Sequence, residues 1–273
     1  MQFPSIDPVF LSIGPLQFRW YGLMYVLSFI ATYYILRAES HRKKLSLSSN
    51  DIADLVFYGA VGVVLGGRVG YIIFYNLDFY LANPLRFFAV WEGGMSFHGG
   101  FLGVITVFLL YSNRKNIPFF KLIDMASQCA PVGLGLGRIG NFINGELYGR
   151  QTDMPWGIIF PDGSGLPRHP SQLYEAVLEG LVLFLVVRIA ARRSSVVGIQ
   201  AWTFCAGYGL FRFIIEFFRL PDAQLGLFGE VFTMGQILSL PMFVLGTFMV
   251  IMLYRQQNLS NKSSAIPTTP LGG

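Results

Sequence analysis

Long apolar stretches recur along this chain, and each is close to the length that crosses a lipid bilayer. A transmembrane helix needs about 20 consecutive, mostly apolar residues. Only 13% of the 273 residues are charged and 53% are hydrophobic, whereas a soluble domain carries roughly 25% charged residues. We therefore predict an all-α integral membrane protein. The predicted transmembrane helices cover residues 17–37, 52–75, 95–112, 118–139, 171–191, 199–218 and 231–254.

The positions of the lysines predict how these seven spans are oriented. Every lysine falls in the connections after spans one, three and seven, or at the start of span four. The positive-inside rule places that side in the cytoplasm, so we expect the N-terminus outside and the C-terminus in the cytoplasm. The same rule accounts for the net charge of +5, and it therefore argues against nucleic acid as a partner.

The predicted organisation is one transmembrane helical domain over residues 1–255, followed by a disordered cytoplasmic tail over 256–273. Within the domain, residues 76–94 contain an Asn-Pro pair followed by an aromatic run. This pattern indicates a short interfacial helix. Residues 141–170 are rich in Gly, Pro, Asp and Asn, and they are predicted to form an extracytoplasmic loop segment.

The predicted outer side carries arginine but no lysine, although charge is expensive in apolar segments. A charge at the bilayer centre costs about 2.5–3.5 kcal/mol on insertion scales. The planar guanidinium fork suits bidentate phosphate contacts, so we expect a bound anionic group such as a lipid phosphate. Snorkelling to headgroups would also explain Arg19 and Arg86. The outer arginines are Arg19, Arg68, Arg86, Arg138, Arg150, Arg168, Arg212 and Arg219.

The sixth span carries a regular polar stripe. Tyr208, Arg212, Glu216 and Arg219 are spaced by four, four and three residues, so they share one face of a helix. Glu216 is therefore expected to pair with both arginines. Two arginines against one carboxylate predict a net positive charge that favours an anionic ligand. The alternative is a buried ion-pair stripe that only fixes helix packing.

A glycine- and amide-rich run ends the fourth span. Its formal GxGxxG pattern lies in a predicted membrane helix rather than after a strand, so a dinucleotide site is not indicated. The glycines suit close helix approach instead, or they let a ligand reach backbone N–H groups. Arg138, Asn141, Asn144 and Glu146 follow at the end of this helix. They predict a polar pocket for phosphate or glycerol oxygens, or else an ordinary turn-rich helix end.

Two other places could hold proton-transfer groups. His98 lies beside a pair of glycines, and an imidazole titrates near neutral pH, which suits a general base. A lone histidine near an interface is more often structural. Glu175 and Glu179 share a face of span five, where they could pair with an arginine or act as acids. The chain has only three histidines and no HExxH motif, so no metal site is predicted.

Four motifs in this order resemble those of bacterial prolipoprotein diacylglyceryl transferases. They are GGMSFHGG (93–100), GRIGNFINGELYGR (137–150), RHPSQLYE (168–175) and GYGLFRFIIEFFRLPD (207–222), and the likeness covers about residues 10–255. The resemblance implies transfer of the sn-1,2-diacylglyceryl group from phosphatidylglycerol to the lipobox cysteine of a preprolipoprotein. A thioether would form and glycerol-1-phosphate would leave.

The resemblance also implies roles for individual residues. His98 would accept the thiol proton or, alternatively, order the lipid headgroup. Arg138 and Arg212 would hold the phosphate, and Glu146 and Glu216 would orient these arginines. The implied catalytic residues are His98, Arg138, Arg212 and Glu216. The implied phosphatidylglycerol-binding residues are Tyr21, Arg138, Asn141, Glu146, Gly149, Tyr208 and Arg219.

The implied setting is the bacterial inner membrane, with the active site facing the extracytoplasmic side. The expected partners are phosphatidylglycerol, the signal peptides of preprolipoproteins and membrane lipids, and no cofactor is expected. An anionic-lipid transporter or flippase is the main alternative. A transporter predicts polar groups reaching both faces of the membrane and often inverted repeats, whereas here the polar groups crowd one side and no repeat is evident.

Overall fold

Helices dominate the structure, and each predicted span overlaps one of them. The computed structural model describes residues 1–90, 93–221 and 232–264. The helices are α1 (Trp20–Arg42), α2 (Ser49–Tyr75), α3 (Leu77–Ala82), α4 (Phe97–Lys115), α5 (Phe119–Ile143), α6 (Ser171–Glu175), α7 (Leu183–Arg193), α8 (Ile199–Ile215) and α9 (Met234–Ser264). A 3₁₀ helix covers Pro84–Phe88, and a π-helical segment, Ala176–Val182, joins α6 to α7.

Two of the described helices have the length and composition of membrane spans on their own. They are Ser49–Tyr75 and the Met234–Leu259 part of α9. Large apolar side chains cover their outer surfaces: Phe57, Phe74 and Phe248 are each more than half exposed. Extended apolar surface of this kind is rare on soluble monomers, which supports the membrane character predicted from composition.

The chain forms two compact units. The first contains Met1–Thr32 and Ala126–Gly273, and the second contains Tyr33–Met125. This division does not test the prediction of a single transmembrane domain over residues 1–255, which stays a prediction.

In the second unit, α2 and α4 pack through facing glycines. A Cβ atom added to Gly62, Gly66 or Gly70 would collide with α4, where Gly99 and Gly103 provide the opposing backbone. Small residues of this kind allow two helix backbones to approach closely. The contact therefore requires glycine on both helices.

Arg68 of α2 is almost fully buried, and its guanidinium holds the segment that follows α3. Nε donates to the carbonyl oxygen of Phe87 at 3.0 Å, and Nη2 donates to that of Ala89 at 3.0 Å. The remaining bonds go to the carbonyls of Arg86, Gly93 and Gly94. The expectation that Arg68 serves an anionic ligand is wrong, because its donors are directed to backbone carbonyl oxygens.

Arg68→Lys is expected to destabilise this unit even though it keeps the charge. An ammonium has three donors and lacks the planar fork, and each carbonyl left without a partner costs about 1–3 kcal/mol. We expect a lower melting temperature in detergent and faster proteolysis within residues 76–90. Arg86→Lys, at an exposed side chain, is the matched control. Unchanged melting and cleavage in Arg68→Lys would show that the clamp is dispensable.

In the first unit, short antiparallel sheets precede and follow α5. Strand β1 (Val9–Ile13) pairs with β2 (Leu16–Arg19), and β3 (Ile158–Ile159) pairs with β4 (Pro167–Arg168). The second sheet lies within the loop segment predicted over residues 141–170.

Glycines also bring the helices of the first unit close together. Gly135 of α5 faces Gly180 in the π segment, and Gly209 of α8 faces the backbone of α9. The prediction that the GxGxxG glycines allow close helix approach is confirmed at Gly135.

The end of the chain differs from the prediction. Helix α9 continues to Ser264, past the start of the disordered tail predicted at residue 256. Residues 265–273 lie outside the described part of the chain. So do residues 91–92 and 222–231, which include the end of the fourth motif and the first residue of the seventh predicted span.

Candidate active site

Glu216, the residue that caps the C-terminal end of α8, binds both arginines of the polar stripe. Its Oε1 lies 2.5 Å from Nη2 of Arg212 and 3.8 Å from Nε of Arg219. The hydroxyl of Thr233 donates to the other carboxylate oxygen at 2.8 Å. The predicted pairing of Glu216 with two arginines is confirmed, and it follows from their spacing of four and three residues.

Glu175, at the end of α6, is shared by three arginines. Its carboxylate is fully buried and forms an ion pair with Nε of Arg138 from α5. Nη1 of Arg212 lies 3.5 Å from its Oε2, and Nη1 of Arg219 donates to its Oε1 at 3.4 Å. One carboxylate therefore ties together side chains from α5, from α8 and from the turn after α8. The sequence predicted that Glu175 pairs with an arginine or acts as an acid, and the structure shows the pairing.

Glu179 adds a third acid in the π-helical segment. It is fully buried, and its Oε1 lies 3.9 Å from Nη1 of Arg212. A π-helical insertion changes which side chains face a site, and such insertions are frequent at functional positions. The resulting arginine–glutamate cluster consists of Arg138, Glu175, Glu179, Arg212, Glu216 and Arg219.

The formal charges of this cluster balance when all six side chains are ionised, so the net positive charge predicted for the stripe does not extend to the whole cluster. The prediction counted only the two arginines and the one acid of the sixth span. The structure adds Arg138, Glu175 and Glu179 from other elements. What the cluster offers an anion is a set of fixed guanidinium donors rather than an excess of positive charge.

Glu146 contacts neither of the arginines that it was expected to orient. Among the described residues, its carboxylate accepts hydrogen bonds from Asn141 at 2.9 Å and Asn144 at 3.2 Å. Asn141 Oδ1 in turn accepts a 3.5 Å bond from Nη1 of Arg138. Glu146 therefore acts on Arg138 only through Asn141, because the chain turns away from the helix axis after Ile143.

Gly149 lies where two backbone segments meet. Its N–H donates to the carbonyl of His169 at 2.8 Å, and it forms an antiparallel bridge with Arg219. A Cβ at this position would collide with His169 and with the carbonyl of Phe218. Only glycine fits there, and the bridge helps to fix the backbone of Arg219. Nε of Arg150 donates to the Arg219 carbonyl at 2.9 Å, so Arg150 also supports this turn.

The two tyrosines assigned to substrate binding lie on different helices. Tyr21 begins α1 and packs its ring against Gly140 of α5. Tyr208 lies one turn before Arg212 on α8, with its ring stacked on Phe204 at 5.8 Å between centroids. Both therefore adjoin helices that carry cluster arginines.

Arg168 is held within the loop segment of residues 141–170. Its Nε lies 2.8 Å from Oδ2 of Asp162, and its guanidinium stands 5.0 Å from the ring centroid of Tyr148. Hydrogen bonds from Ser164, together with the Arg168 pair, lower the pKa of Asp162 to about 2. Arg168 therefore pairs with Asp162 and is not part of the group of arginines that share Glu175 and Glu216.

Comparison with known protein families identifies the kind of protein to which this cluster belongs. The model of the family described as prolipoprotein diacylglyceryl transferase matches residues 8–252. This chain belongs to the prolipoprotein diacylglyceryl transferase family. The family indicated by the four sequence motifs is thereby confirmed.

Individual relatives in the prolipoprotein diacylglyceryl transferase family match over nearly their whole length. A protein of Geobacter sulfurreducens is 62% identical over 257 residues, which cover 94% of this chain and 99% of the relative. A protein of Vibrio campbellii is 51% identical over 265 residues, covering 97% of each chain. One of Photobacterium profundum is 51% identical over 257 residues, covering 94% and 97%. All three are named phosphatidylglycerol–prolipoprotein diacylglyceryl transferase.

His98, the base implied by the resemblance to prolipoprotein diacylglyceryl transferases, lies in the Tyr33–Met125 unit. It occupies the first turn of α4, where Ser96 caps the helix, and its side chain is exposed. The ring contacts Phe97 edge-on at 5.7 Å between centroids. The base assignment stays a prediction. Within the described residues, no group of three His, Cys, Asp or Glu side chains is arranged to hold a metal ion.

Proposed function

We propose that this chain transfers the diacylglyceryl group of phosphatidylglycerol to the lipobox cysteine of a prolipoprotein, the first step in bacterial lipoprotein maturation. The names of its full-length relatives describe this activity. The observation on this chain that carries the proposal is the arginine–glutamate cluster, in which the buried carboxylate of Glu175 joins three guanidinium groups.

The cluster suits a phosphate because its donors are fixed before the ligand arrives. Glu175 and Glu216 hold the guanidinium of Arg212 from two sides. Nη1 of Arg212 is buried and has no hydrogen-bond acceptor among the described residues. Preorganised donors in a water-poor site stabilise developing charge more strongly than the same groups in water. Arg212 therefore offers a donor to an incoming phosphate oxygen.

The reaction requires a thiolate and a leaving phosphate. A free cysteine thiol has a pKa of about 8.5 and must lose its proton to become a good nucleophile. The sulfur then forms a bond to the glyceryl carbon as the bond from that carbon to the phosphate oxygen breaks. The electron pair leaves with glycerol-1-phosphate. Charge therefore grows on the phosphate, where Arg138 and Arg212 stabilise the transition state more than the ground state.

The other predicted residues complete this site as binding or positioning groups. Asn141, held by Glu146, would bind headgroup oxygens beside Arg138. Tyr21 and Tyr208 would line the lipid path, and Gly149 would place Arg219 through the shared backbone bridge.

The lysine distribution and the apolar helices support a placement in the bacterial inner membrane. Seven helices would span the bilayer, with the N-terminus outside, the C-terminus in the cytoplasm and the cluster facing the extracytoplasmic side. Leu81, Leu85 and Phe88 are each more than two-thirds exposed, which supports an interfacial position for residues 76–94.

His98→Gln tests the proposed proton acceptor. Glutamine keeps a polar side chain of similar size but cannot accept a proton near neutral pH, so turnover is expected to fall about 10²–10⁴-fold at pH 7. The fall should shrink at higher pH, where more of the peptide thiol ionises without a base. Turnover of His98→Gln close to wild type over the whole pH range would remove His98 as the base and leave it a headgroup ligand.

The direct test of the function uses purified protein in detergent with phosphatidylglycerol and a synthetic lipobox peptide. We expect the peptide to gain the mass of one diacylglyceryl group and an equal amount of glycerol-1-phosphate to appear. A peptide with serine in place of the lipobox cysteine is the control and should remain unmodified. Movement of phosphatidylglycerol between leaflets of reconstituted vesicles, without any mass gain, would favour the transporter instead.

A further inference from the structure

Glu179 is the one acid of the arginine–glutamate cluster for which the described residues provide no hydrogen bond. Its side chain is fully buried, and both carboxylate oxygens are without a donor in the described part of the chain. The nearest cation is Nη1 of Arg212, 3.9 Å away. By contrast, Glu175 and Glu216 each accept hydrogen bonds from neighbouring side chains.

A buried carboxylate that lacks hydrogen bonds favours a ligand with hydrogen-bond donors. A buried polar group without a hydrogen bond is costly, and a buried charge is costlier still. The groups that interact electrostatically with Glu179 are Glu175, Arg138, Arg212, Arg219 and Tyr208. These arginines are already paired with the other two acids of the cluster. Within the described part of the chain, these pairings leave Glu179 without a hydrogen-bond donor, so its carboxylate is available to a ligand that carries donors.

We propose that Glu179 recognises the hydroxyl groups of the glycerol that leaves with the phosphate, while the adjacent Nη1 of Arg212 donates to the phosphate itself. This inference rests on the transferase function proposed above and assigns a headgroup-specificity role to a residue of the same site. The Glu179 carboxylate accepts hydrogen bonds, and the neighbouring guanidinium of Arg212 donates them. Glycerol phosphate offers the complementary pair, with donor hydroxyls a short distance from acceptor phosphate oxygens.

Nη1 of Arg212 and the Glu179 carboxylate are close enough, at 3.9 Å, for one ligand to contact both. The Arg212 side chain is 15% exposed, whereas Glu179 is fully buried. A phosphate oxygen bound to Nη1 of Arg212 therefore brings the neighbouring carbons of its glycerol toward the carboxylate. A phosphate ester without hydroxyls would fill the arginine position and leave Glu179 without donors.

The test compares two inhibitors of the transfer reaction that differ only in their hydroxyl groups. Glycerol-1-phosphate carries two, and propyl phosphate carries none while keeping the same charge and chain length. Hydrogen bonds to a charged group are worth enough to change affinity by roughly tenfold or more. Wild-type protein is expected to bind glycerol-1-phosphate at least that much more tightly than propyl phosphate.

Two substitutions at Glu179 are expected to lower the ratio of the two inhibition constants by different amounts. Glu179→Met removes both acceptors with little change in side-chain length, and should bring the ratio of the two inhibition constants close to one. Glu179→Gln keeps one acceptor and should give an intermediate ratio. Glu39→Gln is the matched control, because Glu39 is also fully buried but pairs with Arg42. It should keep the wild-type ratio even if it lowers stability.

The inhibition experiment tests the role of Glu179 independently of the transferase function. Wild-type turnover establishes the function whatever the inhibitors do. Equal inhibition of wild type by the two phosphates would overturn the inference without any variant, and would mean that water alone solvates Glu179. A full wild-type ratio in Glu179→Met would overturn it as well. If that variant turns over too slowly for inhibition assays, calorimetric titration of the two phosphates gives the same ratio.

Discussion

Glu175→Gln is expected to remove nearly all activity and to lower the melting temperature of the protein. The substitution is almost isosteric, but it leaves three guanidinium groups facing a neutral amide. Breaking a buried ion pair by removing one partner costs about 3–5 kcal/mol. The arginines would also lose the group that fixes their orientation, and the loss of one preorganised donor lowers kcat about 10²–10³-fold. Thermal unfolding in detergent and turnover on the lipobox peptide measure the two effects.

Glu39→Gln distinguishes loss of the site from loss of stability in this experiment. It also neutralises a fully buried carboxylate, one that pairs with Arg42 at 2.7 Å. We expect this control to melt earlier and yet to keep wild-type turnover per folded molecule. A Glu175→Gln protein that melts and turns over like wild type would mean that the shared carboxylate organises nothing.

Arg138→Ala is expected to lower kcat/KM about 10²–10³-fold, the loss typical of removing one donor from a site that stabilises an oxyanion. Arg138→Lys should recover little, because an ammonium cannot match the planar fork held by Glu175 and Asn141. The measurement is transfer to the lipobox peptide at several phosphatidylglycerol concentrations. Arg193→Ala, at an exposed position near the end of α7, should leave turnover unchanged. Wild-type kcat/KM in Arg138→Ala would exclude this arginine from the site.

Local spacing made part of the site predictable from the sequence. Arg212, Glu216 and Arg219 lie within two turns of chain, so helix geometry alone brings them together. The helical segments were predictable for a similar reason, since each was predicted from a long apolar stretch of consecutive residues. Both the polar stripe and the helical segments are determined by residues that are close together in the sequence.

The centre of the cluster could not be predicted in the same way. Glu175 meets Arg138 and Arg219 only because α5, α6 and α8 pack together in the first unit, and the Glu175–Arg219 pair is separated by 44 residues. A π-helical segment then changes the facing of Glu179 relative to an ideal α-helix.

Arg68 was included among the expected anion-binding residues, although it is a structural residue. Composition alone made it resemble the arginines that are proposed to bind the phosphate, whereas its donors go to backbone carbonyls of the segment that follows α3. Spacing along a helix carries no information about such a segment.

The most direct test of the central claim, that the cluster stabilises charge on the departing phosphate, is the separation of kcat from KM in Arg138→Lys. Phosphatidylglycerol would be varied at constant detergent concentration, with the lipobox peptide saturating, for wild type and variant. An interaction made mainly in the transition state lowers kcat and kcat/KM together. We predict a fall in kcat of at least roughly tenfold with little change in KM. A wild-type kcat with only a raised KM for phosphatidylglycerol would contradict this account, because the arginine would then bind lipid without assisting departure of the phosphate.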